Sequence, residues 1–368
     1  MKFAMFYEIP VPKPWTPEKE RQAYKNTVEQ VKLGERMGFH SFWTVEHHFL
    51  DEYSHCSNPE VLYGHIAAVT DTIRLGYGVR LLPKPYNHPV RTAESVAVLD
   101  LLSDGRVEFG TGRSSTRAEI EGFGIDPRET RQMWNEALEH IVGIWTNEEY
   151  SFEGKYWSMP PRRVHPKPLQ QPHPPIWGAT SSLEGHYEIG KHGIGLLSFT
   201  VGLPPETLVE RVDAYRKGQN DCTKPAGAFV NNTAATFTMV HCADTNEKAR
   251  TVAEESFVWY PKTAANHIAT LAQYMQEQGQ DLGNYKYAGD ALKMSNEGLM
   301  DHVTMDFLYD TGAGIVGDPD RCIEMAKRYE AVGCELLFCL LNPYNIPHED
   351  VMRSIELIGT HVIPELDK

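Results

Sequence analysis

The sequence predicts an α/β protein folded as a single (β/α)8 barrel, the TIM architecture. Three observations predict it. Strand-like and helix-like segments alternate eight times. The 368-residue length suits eight such units in one body. No composition break wide enough to be a linker interrupts them, so one domain over 1–368 is expected. A doubly wound open sheet would alternate in the same way, but no glycine-rich dinucleotide fingerprint follows the first strand. With 41% hydrophobic and 23% charged residues, the chain has ample apolar side chain to offset its conformational entropy.

The first strand is expected at 3–9. A helix follows over 18–37, with Tyr24, Val28 and Val31 at helical spacing and Gly38 as its stop. The second strand covers 41–46 in aromatic and β-branched residues. The next helix, 59–70, carries Pro59 in its first turn. A third strand spans 74–82 and a helix 89–102, then a fourth strand 106–109. In the helix expected at 127–145, Trp134, Ala137, Leu138, Ile141 and Trp145 share one face. Segment 150–175 holds seven of the 24 prolines. Each lacks a backbone donor and fixes φ, so a loop or edge hairpin is expected there.

Alternation resumes with a fifth strand at 176–180, helix 182–191, a sixth strand 195–200 and helix 205–217. The seventh strand is 234–242, before helices 246–260 and 266–278. A polar stretch rich in Gly, Asp and Asn runs over 280–314. Helix 318–331, an eighth strand 335–341 and a helix 349–358 complete the chain. The segments near 150–175 and 280–314 are expected as insertions after strands 4 and 7, in the position of lids.

Charge and motif content remove several function classes. With 35 Lys and Arg against 50 Asp and Glu, the chain carries −15, the wrong sign for a nucleic-acid partner. No run approaches the roughly 20 apolar residues of a membrane helix. The first residues read as a strand and not as a secretory leader. None of the six cysteines forms a Cys-x-x-Cys pair, and scattered thiols fit a reducing cytoplasm. Neither His-x-His nor His-Glu-x-x-His occurs, so no metal site is expected.

In a barrel, ligand groups come from the carboxyl ends of strands and the loops after them. The second strand runs out through Val45-Glu46-His47-His48-Phe49. Neighbouring residues of extended chain point to opposite faces, so one of these histidines faces the mouth as an acid/base group. The third strand contains Gly76 and Gly78, the mark of a bulge or of a flat ligand against bare backbone. The fourth ends Gly110-Thr111-Gly112-Arg113-Ser114-Ser115, offering N–H groups, hydroxyls and a guanidinium to a phosphate. The fifth ends Thr180-Ser181-Ser182 at a helix amino terminus, a second anion-friendly loop beside the first. Phe199 ends the sixth strand as an apolar wall. Taken singly, each segment also has an ordinary structural reading: a polar strand end, a bulge, a surface turn, a capped helix, core packing.

Together these residues resemble the bacterial luciferase-like flavin monooxygenases along nearly the whole chain. The resemblance rests on Phe42-Trp43-Thr44-Val45-Glu46-His47-His48-Phe49, on Leu82-Pro83 with His88-Pro89-Val90-Arg91, and on Leu99-Asp100-Leu101-Leu102-Ser103-Asp104-Gly105-Arg106. Residues 109–113, Phe123-Gly124 and Pro174-Pro175-Ile176-Trp177 complete the series.

The resemblance implies a barrel that binds FMN, as a homodimer or as a heterodimer with a related chain. It implies that FMNH2, delivered by a separate NAD(P)H:flavin reductase, activates O2 to oxygenate a small organic substrate. It puts the acid/base residue at His47. Phosphate contacts fall on Arg113, Thr180 and Ser181, and Phe199 stands beside the flavin. Gly78 and Val79 form the strand behind the ring, with a non-proline cis peptide. Glu184 replaces a hydroxyl of the family and is left out of the site. Tyr7, Trp43, Tyr77 and Phe199, with the two insertions, are expected to keep the pocket dry. Two alternatives share the barrel: an F420-dependent hydride-transferring oxidoreductase and a non-catalytic flavin-binding paralogue.

Overall fold

Eight parallel strands close on themselves in the computed structural model, which describes residues 1–367. They are β1 (Lys2–Tyr7), β2 (Ser41–Thr44), β3 (Arg74–Tyr77), β4 (Val107–Gly112), β5 (Ile176–Thr180), β6 (Gly195–Ser198), β7 (Ala234–Cys242) and β8 (Leu336–Leu340). Each pairs with the next, and β8 returns to β1 with Leu337 opposite Phe3. Strands covered on both faces read as near-continuous apolar runs, and every residue of β8 is buried. Inside the ring, Trp43 packs against Trp177 and Phe338, and Phe6 against Phe237 and Phe338. The barrel interior is thus filled, and the mouth is where its strands and loops leave space for a ligand.

Several elements differ from the sequence expectation, each for a local reason. The third strand breaks at a cis Gly78–Val79 peptide, and only Arg80–Leu81 continues beyond it, paired with Thr111 and Gly112. The fourth strand is longer than expected because Gly110, Thr111 and Gly112 belong to it. The two helices expected at 246–260 and 266–278 are one, Asn246–Glu277, which runs through Pro261. The proline-rich segment, by contrast, agrees with the expectation and forms an antiparallel hairpin, Tyr150–Glu153 with Ser158–Arg162, apart from the barrel sheet. Its turn is anchored on helix Thr130–Thr146, where the Glu136 carboxylate accepts from the N–H groups of Lys155, Tyr156 and Trp157.

Much of the stretch 280–314 is helical, with Lys286–Asn296 and Met305–Thr311 as its α-helices. Few apolar residues mark the first helix, because it buries only Ala288 and Leu292. With Tyr285 these join Ala269, Leu271, Ala272 and Met275 of the long helix in a small second core, beside Ile120 and Ile125. Among the described residues no helix is long and apolar enough to cross a membrane.

One contact fixes the helix that follows β5. A Cβ at Gly190 would overlap the carbonyl oxygen of Tyr215, and a Cβ at Gly218 that of Tyr187. Helices Leu183–Lys191 and Val209–Asn220 therefore meet backbone to backbone, where neither has a side chain. Gly190→Ala is expected to push them apart and cost about 1–3 kcal/mol of stability. Urea denaturation measures this, and an unchanged midpoint contradicts the close contact.

Candidate active site

A cavity of about 230 Å³ opens at the carboxyl ends of the strands. His47, Gly78, Val79, Arg113, Thr180, Ser181 and Phe199 all line it. Residues spread over more than 150 positions of sequence thus meet around one space.

At one end stands His47, in the loop after β2. The loop is held where the His47 N–H donates to the Cys56 carbonyl, 2.9 Å away. The ring Nδ1 lies 2.9 Å from Glu119 Oε1. Glu119 belongs to helix Arg117–Gly122, whose N-cap Thr116 accepts from the Glu119 N–H. Ser114 and Thr116 hydroxyls each donate to Glu119 Oε2 at 2.7 Å, and the His48 N–H donates to Oε1 at 3.1 Å. A carboxylate so engaged puts the proton of a neutral imidazole on Nδ1 and turns Nε2 to the cavity. His48 faces away, among the rings of Tyr86 and Phe123.

The charges around His47 decide its state. Burial by itself would lower its pKa, but the charge and hydrogen bond of Glu119, then Glu8 and Glu46, raise it from 6.5 to about 9. His47 is therefore a cation at neutral pH. Burial likewise opposes ionisation of Glu119, yet His47 and the two hydroxyls hold that carboxyl below its usual range. Glu8, just past β1, is buried in turn. Burial raises its carboxyl above the usual range, against the pull of His47 and Tyr260.

At the other end the cavity is cationic. Arg113 donates to Thr130 Oγ1 at 3.2 Å and lies 5.1 Å from the Tyr285 ring centroid. Arg131, Thr180, Ser181 and Ser182 also line this end. Ser182 caps helix Leu183–Lys191, whose free N–H groups begin there. Two guanidinia, three hydroxyls and a helix amino terminus fit a phosphate. Glu184, left out of the site above, is largely exposed and turns to Arg131, 3.5 Å away. It does not line the cavity.

Between the two ends, the Gly78–Val79 backbone and the Phe199 side chain form part of the wall. The glycines of β4 have a different task from the expected anion nest. A Cβ at Gly110 would overlap the Tyr77 carbonyl, and one at Gly112 the Val79 side chain, so they let β4 lie close against the broken third strand. The arrangement fits FMN: an anion site for the tail, uncovered backbone for a flat ring, and an acid/base group beyond it.

Other expectations about the pocket do not hold. Tyr7, Trp43 and Tyr77 are fully enclosed in the core, where Tyr7 meets Phe42 and Tyr77 meets Tyr63. None of them lines the cavity, and neither does the hairpin, which leads from helix Thr130–Thr146 into the base of the barrel. From the other insertion, Tyr287 reaches the cavity. Sequence reasoning missed Glu8, Tyr53, Glu119, Arg131 and His267, which line the cavity or hold His47. Thr116 three residues before Glu119 is a capping-box signal that pointed to a helix start. Nothing local marked His267, which is brought in by a helix that begins 21 residues earlier.

Comparison with known proteins identifies the family and the fold. The model of the luciferase-like monooxygenase family matches residues 1–336. The oxygenase component of the flavin-dependent trigonelline monooxygenase of Acinetobacter baylyi is 25% identical over 338 residues, 90% of this chain and 87% of that protein. Among solved structures, the oxygenating constituent of 3,6-diketocamphane monooxygenase of Pseudomonas putida, a type II Baeyer-Villiger monooxygenase in complex with FMN, has a TM-score of 0.75 at 21% identity. The match covers 99% of this chain and 98% of that one. An F420-dependent secondary alcohol dehydrogenase has a TM-score of 0.72 at 18% identity, covering 99% and 98%. At these identities the structural matches show a shared fold. The family match spans most of the chain, and the protein belongs to the luciferase-like monooxygenases.

Proposed function

We propose that the protein is the oxygenase component of a two-component FMNH2-dependent monooxygenase acting on a small organic substrate. The observation that carries this reading is one cavity with Arg113, Arg131 and a helix amino terminus at one end and His47, paired with Glu119, at the other. Bound there, reduced FMN supplies the electrons that activate O2. Arg113, Arg131, Thr180 and Ser181 hold the phosphate, and Gly78, Val79 and Phe199 flank the ring. His47 carries a proton at Nε2 toward the open face, with Glu119 keeping it charged. Tyr287, Leu50 and Ile268 line the cavity and exclude water from it. Reduced flavin comes from a separate NAD(P)H:flavin reductase, a division of labour supported by the name of the Acinetobacter relative as an oxygenase component.

The F420 reading draws support from the dehydrogenase of like fold. That cofactor has a longer acidic tail, and here Arg131 is already shared with Glu184, which favours FMN. A non-catalytic role is disfavoured by the cost of keeping a charged, paired histidine in the cavity wall. We further propose that the chain dimerises. Val98, Leu101 and Leu102 share one exposed helix face, and Val61 is exposed on the helix packed beside it.

Arg113→Ala is expected to weaken FMN binding by about 1–3 kcal/mol, read by fluorescence titration. Equal affinity removes the phosphate assignment. His47→Ala is expected to keep FMNH2 binding while losing product formation about 100-fold or more, and an unchanged product yield contradicts the acid/base role.

The His47 titration gives a separate check. NMR is expected to find its midpoint near 9, and Glu119→Gln to move it down toward 6.5. A raised histidine pKa stabilises the fold fully below 6.5 and loses that increment as pH rises through about 9. The stability gap between the parent and Glu119→Gln is therefore expected to narrow from pH 7 to 10. A gap that widens contradicts the assignment.

A further inference from the structure

Glu8 has one oxygen engaged and one bare. Its Oε1 accepts from the Tyr260 hydroxyl at 2.9 Å, Tyr260 accepts from the Tyr53 hydroxyl at 2.8 Å, and the Tyr53 oxygen lies 3.4 Å from the same Oε1. Its Oε2 has no hydrogen-bond partner among the described residues, although the side chain is only 1% exposed. Buried polar atoms are nearly always paired, and this one borders the cavity. The two phenols fix the carboxyl plane from behind, so the bare oxygen cannot turn into the protein for a partner.

Facing it is His47 Nε2, 3.6 Å away, which is outside hydrogen-bond reach. The Nδ1 of that ring is committed to Glu119. Two polar atoms therefore address the same small volume without satisfying each other. An oxygen set about 2.8 Å from each lies off the line joining them, toward the cavity that both border. In the ionised state of Glu8, which the facing imidazolium favours against burial, it must accept from the imidazolium N–H and donate to the carboxylate. A hydroxyl does both. An ether or carbonyl oxygen accepts but cannot donate, and a hydrocarbon does neither. An ammonium group would have to sit beside the imidazolium, where like charges repel. Phe6, Tyr53, Phe199, Ala264 and Ile268 make most of the surrounding wall apolar or aromatic, and His267 and Glu46 are the other polar side chains near His47 on it.

We propose that Glu8 Oε2 and His47 Nε2 together clamp a hydroxyl of the substrate, and that Glu8 is the residue that makes this site select hydroxyl-bearing molecules. Calling the ligand a substrate rests on the oxygenase reading above, whereas the clamp is a property of the cavity itself.

The test is calorimetric titration of 4-methylphenol, 4-methylanisole and toluene into the apo-protein and the FMN-loaded protein. The phenol is expected to bind at least about tenfold more tightly than the other two, as a hydrogen bond to a charged group gives. Glu8→Leu is expected to abolish that preference while leaving the anisole and toluene affinities unchanged. Glu8→Gln, which keeps the shape of the side chain and its contact with Tyr260, is expected to reduce it. Equal affinities for the three probes in the parent, including no measurable binding of any, overturn the proposal. So does a phenol preference that survives in Glu8→Leu or is undiminished in Glu8→Gln. If FMN fails to bind but the phenol preference holds in the apo-protein, the flavin reading falls and the clamp stands. If FMN binds and the preference is absent, the reverse is true.

Discussion

The ion pair between His47 and Glu119 is the contact on which the site depends. It joins the loop after β2 to the short helix after β4, two segments that share no strand pairing. Neither partner is free to leave. Glu119 is fully buried and its carboxylate receives four donors, from the His47 ring, the Ser114 and Thr116 hydroxyls and the His48 N–H. Removing one member of such a pair strands a buried charge, which is far more costly than the pair is stabilising. The pair therefore fixes the ring orientation, and its charge sets what the cavity-facing nitrogen can do.

From that contact the cavity acquires two unlike ends. A chain of net charge −15 does not attract anions at long range. It nevertheless gathers Arg113, Arg131 and a helix amino terminus at one end of the cavity, and the acid–imidazole–acid row of Glu119, His47 and Glu8 at the other. Arg113 is steadied by Tyr285, whose hydroxyl also donates to the Ser114 carbonyl at 3.1 Å. Ser114 in turn serves Glu119. Both ends are thus tied to one loop, so the second small core, built around Tyr285 and the far half of the long helix, supports the whole site.

The eight-strand pattern was legible because buried parallel strands leave dense apolar runs that helices interrupt. The loops that meet at the cationic end of the cavity were legible because hydroxyl, arginine and helix-start residues stand within a few positions of a strand end. What escaped were features made by distance. Glu8 reads as the tail of a strand until Tyr53 and Tyr260 are brought behind it. The helix Lys286–Asn296 buries too few apolar residues to show a period. Pro261 reads as a stop, yet the helix continues through it. The glycines of β4 look like a ligand nest and instead make room for Tyr77 and Val79.

In the proposed function, one cavity grips a flavin by its phosphate while presenting an acid/base group to the ring. Titrating the protein with FMN and with riboflavin, which lacks only the phosphate, tests this most directly. FMN binding at least about tenfold more tightly than riboflavin, a difference of about 1.4 kcal/mol, is the predicted result. Equal affinities for the two flavins, or no binding of either, would contradict it.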